Sequence, residues 1–158
     1  MAQLHVGQSV GMRCASLVFF LCLLVTANMA HAARFRAIGA HPAILYNAPT
    51  ERARKVYIAP SGMPVEVIIE LNGWSKIRDA STDLSWVESS ALTDARHVIV
   101  IVDNAVIRMA PAERAPEAGT AMQGVWFKLL EPAHAGWVKV QHIDGTRGYL
   151  KANDVWGD

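Results

Sequence analysis

The chain has 158 residues, 52% of them hydrophobic, and a formal net charge of +1. No block of like charge stands out, so the electrostatic footprint of a nucleic-acid binder is missing, and no Gly-rich loop points to phosphate chemistry. The two cysteines, Cys14 and Cys22, both lie near the N-terminus, which leaves little scope for a disulfide framework or a thiolate metal site.

The apolar excess is concentrated at that same end. Arg13 precedes the run Ala15-Ser16-Leu17-Val18-Phe19-Phe20-Leu21-Cys22-Leu23-Leu24-Val25, and Ala30-His31-Ala32 follows it. A cation, an apolar stretch and a small-x-small ending describe a secretory signal peptide. The run is shorter than the ~20 residues of a bilayer-spanning helix. The pattern predicts cleavage after Ala32, export to the periplasm, and no stable membrane span thereafter. Both cysteines leave with the signal, so the mature chain from Ala33 to Asp158 must be held by packing alone. Arg13 leaves too, and the remaining cations and anions balance. Met12-Arg13 and the run would make a complete signal by themselves, which makes Met12 an alternative start. Cys22 lies inside the apolar run, against a lipidation site.

An internal repeat organises the remainder of the chain. Ala43-Ile44-Leu45-Tyr46-Asn47-Ala48-Pro49 aligns with Ala105-Val106-Ile107-Arg108-Met109-Ala110-Pro111. Pro64-Val65-Glu66-Val67 aligns with Gly124-Val125-Trp126-Phe127, Gly73-Trp74-Ser75-Lys76-Ile77-Arg78 with Gly136-Trp137-Val138-Lys139-Val140-Gln141, and Trp86-Val87 with Tyr149-Leu150. The offset is nearly constant, which predicts two copies of one unit over roughly 43–92 and 105–156.

Each unit reads as short strands. Val65-Glu66-Val67 and Trp74-Ser75-Lys76-Ile77-Arg78 alternate with period two. Asn72-Gly73 between them is a hairpin turn signal, and Pro132-Ala133-His134-Ala135-Gly136 is expected to do the same with a longer loop. Asp144-Gly145 marks a second tight turn. Residues 47–64 and 109–124 are rich in Pro, Gly and charge and read as one long loop per unit. His97-Val98-Ile99-Val100-Ile101-Val102-Asp103 is a β-branched apolar run, which predicts a strand buried on both faces that leaves the first unit, enters the second and lies between them. The expected fold is all-β: two small half-open barrels in tandem sharing this strand, with boundaries of 1–32 for the signal, 33–95 and 96–158. A barrel of ~60 residues buries only about 60% of its unfolded surface, so either half alone is expected to be insoluble or unfolded.

In each unit, Ala-apolar-apolar-x-x-Ala-Pro, a long loop, Gly-Trp-x-Lys-(Ile/Val), a turn and aromatic-(Val/Leu) come in that order. This resembles bacterial SH3-like (SH3b) domains, and Arg96-His97-Val98-Ile99-Val100 resembles the exported proteobacterial kind. The resemblance spans nearly all of the mature chain and implies SH3-like barrels that bind peptidoglycan or peptides. The chain departs from eukaryotic SH3 peptide grooves. It keeps only the first tryptophan of the Trp-Trp pair, as Trp74-Ser75 and Trp137-Val138, and has Leu92 and Val155 where a groove tyrosine would fall. Ser85 stands where a glycine precedes the aromatic. These departures argue against polyproline recognition.

Little in the mature chain points to catalysis. Its histidines, His41, His97, His134 and His142, are scattered without metal-ligand spacing. No nucleophile elbow occurs, no pair of carboxylates is aimed at one point, and His142-Ile143-Asp144 reads as ordinary strand polarity. No enzyme activity, cofactor or metal is expected. Recognition is the better reading. Trp74 shares a strand face with Lys76 and Arg78, which rarely bury, and Trp137 shares one with Lys139 and Gln141. Tyr46 and Arg108 occupy one position of the repeat and are expected to face outward, with Leu45 and Ile107 inward. The candidate ligand contacts are Tyr46, Trp74, Lys76, Trp86, Arg108, Trp137, Lys139 and Tyr149. Indoles beside cations suit a carboxylate-bearing peptide or a sugar; packing of the barrel rim is the structural alternative for each ring. The basic segment Glu51-Arg52-Ala53-Arg54-Lys55 against Glu113-Arg114-Ala115-Pro116-Glu117 predicts that the two units differ as binders. The expected function is an exported, non-catalytic module that holds peptidoglycan or envelope peptides. A periplasmic protein–protein adaptor is the alternative, and an envelope hydrolase a remote one.

Overall fold

The structure is a computed structural model describing residues 34–158. The predicted signal peptide, its cleavage site, both cysteines and the candidate start at Met12 lie outside the described residues. The first sheet comprises β1 (Phe35–Ile38), β2 (Ala43–Tyr46), β3 (Lys55–Ala59), β4 (Pro64–Leu71), β5 (Trp74–Arg78), β6 (Leu84–Glu88) and β7 (Leu92–Thr93). The second comprises β8 (His97–Val100), β9 (Asn104–Arg108), β10 (Glu117–Met122), β11 (Trp126–His134), β12 (Trp137–Gln141), β13 (Arg147–Lys151) and β14 (Val155–Trp156). The sheets have the same order, β3-β2-β6-β5-β4-β1-β7 and β10-β9-β13-β12-β11-β8-β14. A 3₁₀ turn precedes the last strand of each, at Ser89–Ala91 and Ala152–Asp154. The fold is all-β and duplicated, as the repeat predicts.

Alternation builds each core. Ser75 and Ile77 on β5 and Val138 and Val140 on β12 are buried, whereas Trp74, Lys76, Trp137 and Lys139 are only half-buried on the opposite face. Ile38, Leu45, Val65, Val67, Ile77 and Val87 pack in the first core, and Val98, Val100, Ile107, Phe127, Val138, Val140 and Leu150 in the second. Fully burying an aliphatic side chain contributes roughly 1.5–3 kcal/mol, and the duplicated pattern places such residues in matching positions of both barrels.

Several expectations from the sequence are corrected. Each unit begins one strand earlier than the repeat suggested, with β1 and β8. The stretches 47–64 and 109–124 are hairpins, because β3 and β10 fold back on β2 and β9. The apolar run is a strand only over His97–Val100, and Ile101 is exposed. The second aligned block is displaced by two residues: Gly62 N–H donates to the Ile38 carbonyl as Gly124 N–H does to Val100, which pairs Pro64 with Trp126 and Val65 with Phe127. The β11–β12 connection is no longer than its counterpart. Ala135 and Gly136 (φ 50° and 84°) repeat the geometry of Asn72 and Gly73 (φ 48° and 84°), a two-residue turn whose twist suits a hairpin. Pro132 sits within β11 where the register slips between Glu131 and His134, the kind of bulge that tolerates proline.

The connecting strand is shared by packing and not by hydrogen bonds. β8 pairs with β11 and β14, both in the second sheet. Val98 and Val100 enter the second core, while His97 and Ile99 occupy the other face. Around it the barrels meet. Phe35 stacks edge-on with Trp156 at 4.9 Å. The Arg96 guanidinium lies 5.6 Å from the Phe35 ring and donates to the Gly157 carbonyl at 3.0 Å. Gly62 abuts the Trp126 ring so closely that an added Cβ would stand 2.5 Å from it. Residues 33–158 form one compact body.

Candidate functional site

Strand pairing assembles the eight candidate residues into two equivalent faces. In the first unit, Ile69 on β4 is opposite Lys76, Lys76 opposite Trp86, and Trp86 opposite Tyr46. These four residues make one row across four strands. A second row runs Leu71–Trp74–Glu88. In the second unit the equivalent rows are Glu131–Lys139–Tyr149–Arg108 and His134–Trp137–Lys151. The repeat identified the contributions of three strands to each face. It missed Ile69 and Glu131, because a β-bulge between Val67 and Ile69, and another between Leu129 and Glu131, break the alternation that would have revealed them.

The two faces differ in chemistry. In the first, Trp74 and Tyr46 make a T-shaped pair with centroids 5.3 Å apart and an interplanar angle of 85°. Lys76 Nζ lies 6.0 Å from the centroid of Trp86. Among the described residues Lys76 has no carboxylate within ion-pair distance, so its charge is open to an incoming group. Ile69 and Leu71 add exposed apolar surface beside the rings. In the second face all three cations are engaged, Lys151 with Glu113 at 2.8 Å. Lys139 donates to Glu131 at 2.6 Å, and this hydrogen bond and charge hold its pKa above the usual lysine value. Arg108 donates to Glu117 at 3.2 Å and to the Ala115 carbonyl at 3.1 Å.

Tyr46 corrects an expectation. It lies on the outer face, opposite Trp86, but is only 6% exposed, because Trp74 and Trp86 cover it. It forms the floor under the rings. Arg108, its counterpart, has longer reach and stays half-buried.

His142 and Asp144 sit in the turn after β12 and not on a strand. His142 Nδ1 lies 3.0 Å from Asp144 Oδ2. Asp144 also accepts from the Thr146 backbone N–H at 2.8 Å, and that bond is the leading cause of a carboxyl pKa below the usual range. The pair tightens a turn. Among the described residues no group of three or more His, Cys, Asp or Glu side chains is placed to hold a metal ion, and no helix is long and apolar enough to cross a membrane.

A model of the bacterial SH3 domain matches the sequence twice, over residues 39–94 and 102–157. Similar solved structures include NlpC2 from Trichomonas vaginalis, with 14% identity and a TM-score of 0.38 over 80% of this chain and 48% of that one. NlpC1 from the same organism is 15% identical, with a TM-score of 0.38 over 80% of this chain and 46% of that one. An NlpC/P60 family protein from Bacillus cereus ATCC 10987 is 16% identical, with a TM-score of 0.34 over 77% of this chain and 55% of its own. The chain thus spans about half the length of these structures. No curated protein matches the sequence.

Proposed function

The chain belongs to the bacterial SH3 domain family, and from that premise we propose that it is an exported, non-catalytic module that holds peptidoglycan or its stem peptides in the periplasm through the outer face of the first unit. The observation that carries this reading is the contrast between the two faces. One offers Trp74, Trp86 and an uncommitted Lys76 above Tyr46, while the other neutralises Lys139 and Arg108 with its own carboxylates. Indole faces stack on sugar rings, and a lysine without a carboxylate partner is available for a charge-assisted hydrogen bond to a peptide carboxylate. Trp137, Tyr149 and their cations then serve mainly to hold the second barrel.

The test is co-sedimentation with purified sacculi. Retention that survives ~0.5 M salt, where screening confines charge interactions to a few ångströms, supports recognition by stacking. Trp74→Ala abolishes retention and Trp137→Ala leaves it intact; equal loss from both, or from neither, overturns the assignment to the first unit.

One observation favours the adaptor as second reading. β3 is an edge strand with Val56, Tyr57 and Ile58 all exposed, a surface that an extended partner strand could extend. Failure to bind sacculi, together with capture of an envelope protein that Ile58→Lys abolishes, would favour it.

A further inference from the structure

Duplication supplies an internal control for a second site. At the base of each barrel, four residues occupy equivalent positions on the first, fourth and fifth strands. In the first unit they are Phe35, Pro64, Glu66 and Arg78; in the second, His97, Trp126, Lys128 and Gln141. Glu66 and Arg78 face each other across the ladder, and Arg78 Nε donates to Glu66 at 2.8 Å. That charge is spent internally. Lys128 and Gln141 are paired in the same way but contain no anion. Among the described residues Lys128 has no ion-pair partner. Gln141 accepts from Arg147 through Oε1 at 3.2 Å, which leaves its NH₂ to donate elsewhere.

These second-unit residues line a cleft of about 420 Å³ between the barrels. The other wall comes from the first unit, where Ser61 and Thr93 contribute hydroxyls. Ser61 Oγ donates to the Gly39 carbonyl at 2.6 Å and so presents its lone pairs to the cleft. Trp126 is fixed where Gly62 meets the far end of its six-membered ring and by a T-shaped contact with His97, centroids 5.4 Å apart. No carboxylate lines the cleft. The arrangement is a fixed ring face, one open cation, an amide donor and two hydroxyls.

We infer that this cleft is a second ligand site, for a carboxylate carried on a sugar-like ring, in which Lys128 and Gln141 take the carboxylate while the ring lies on Trp126 and its hydroxyls meet Ser61 and Thr93. The site is separate from the Trp74 face and does not require that face to bind.

The test is NMR titration of the full chain with three probes. N-acetylmuramoyl-L-alanyl-D-isoglutamine supplies ring and carboxylate. N-acetylglucosamine supplies the ring alone, and L-alanyl-D-glutamate the carboxylates alone. The first should shift the Trp126 indole N–H and the amides of Gly62 and Lys128, and bind more tightly than either fragment. Lys128→Glu should weaken it by roughly tenfold or more, as loss of a charge-assisted hydrogen bond requires. Lys128→Glu combined with Gln141→Arg rebuilds the internal pair of the first unit, so the barrel should stay folded while the site is lost. Trp74→Ala should leave these shifts unchanged, which separates this site from the sacculus-binding face. Shifts that depend on Trp74, an unchanged Kd in the Lys128 variants, no shift at millimolar probe, or equal binding of either fragment would overturn the assignment.

Discussion

Gly148 and Ser85 hold the same place on β13 and β6, and their neighbours explain the difference. A Cβ on Gly148 would collide with Ile107 Cγ2 and stand 2.8 Å from the Arg108 carbonyl oxygen. In the first unit the residue equivalent to Ile107 is Leu45, which has no branch at Cβ, and Ser85 fits there at 8% exposure. Gly148→Ser should therefore destabilise the chain by about 1–3 kcal/mol, the usual range for overpacking a filled core, and Ile107→Leu in the same chain should recover part of that loss. Urea denaturation of the single and double variants measures both; simple additivity would refute the steric account. His97 carries a second prediction at this scale. Burial lowers its pKa below the ordinary 6.5, and the charge of Lys128 opposite contributes in the same direction. The folded chain therefore resists protonation more than the unfolded chain. Stability should be full above pH 6.5 and fall as the pH drops below it. His97→Phe, which installs the residue found at Phe35, should flatten that slope when denaturation is followed from pH 7.5 to 5. An unchanged slope would remove His97 from the account. Residue identities legible in the sequence were those set by alternation, such as the outward Trp74, Lys76, Trp137 and Lys139. The burial of Tyr46 was not legible, because it depends on a ring that arrives from another strand.

At the scale of elements, the hairpin cores were readable because turn chemistry and period-two patterning agree there. β3 and β10 were hidden for opposite reasons. The sequence of β3, Lys55-Val56-Tyr57-Ile58-Ala59, does not alternate, since nearly all of it is exposed at a sheet edge. β10 contains Gly119 and Thr120 and carries little apolar signal. β1 is hidden because the repeat is clear in the sequence only from Ala43 onward, and its partner copy, β8, reads as a connector. The comparison of β3 with β10 also isolates what the fold needs. Ile58 and Thr120 occupy the same register position, opposite Ile44 and Val106. Since the second barrel folds with threonine there, Ile58→Thr should change stability by no more than about 0.5 kcal/mol, as for other surface substitutions. A larger loss, read from the urea midpoint, would mean that this apolar edge supports the fold instead of standing ready for a partner.

At the scale of the molecule, the question is why two barrels of this size hold together without disulfides among the described residues. Each has edges and a modest core, and a domain of ~60 residues is marginal by surface-to-volume scaling alone. The structure offsets this at the junction, where Trp156 of the last strand covers Phe35 of the first, Arg96 bridges that ring to Gly157, and Trp126 packs on Gly62. The last strand of the second barrel thus covers Phe35 at the start of the first, so unfolding either barrel should expose part of the other. The native chain should accordingly unfold in one transition by near-UV circular dichroism and calorimetry. Trp156→Ala should cost roughly 2–3 kcal/mol, somewhat below the 3–5 typical of truncating a fully buried aromatic, since Trp156 is half-buried. It should also separate the barrels into two transitions, the first barrel melting earlier because its opening strand has lost its cover. A single transition that merely shifts to lower temperature would place the coupling elsewhere along the junction, and two transitions in the unmodified chain would show that the barrels fold independently.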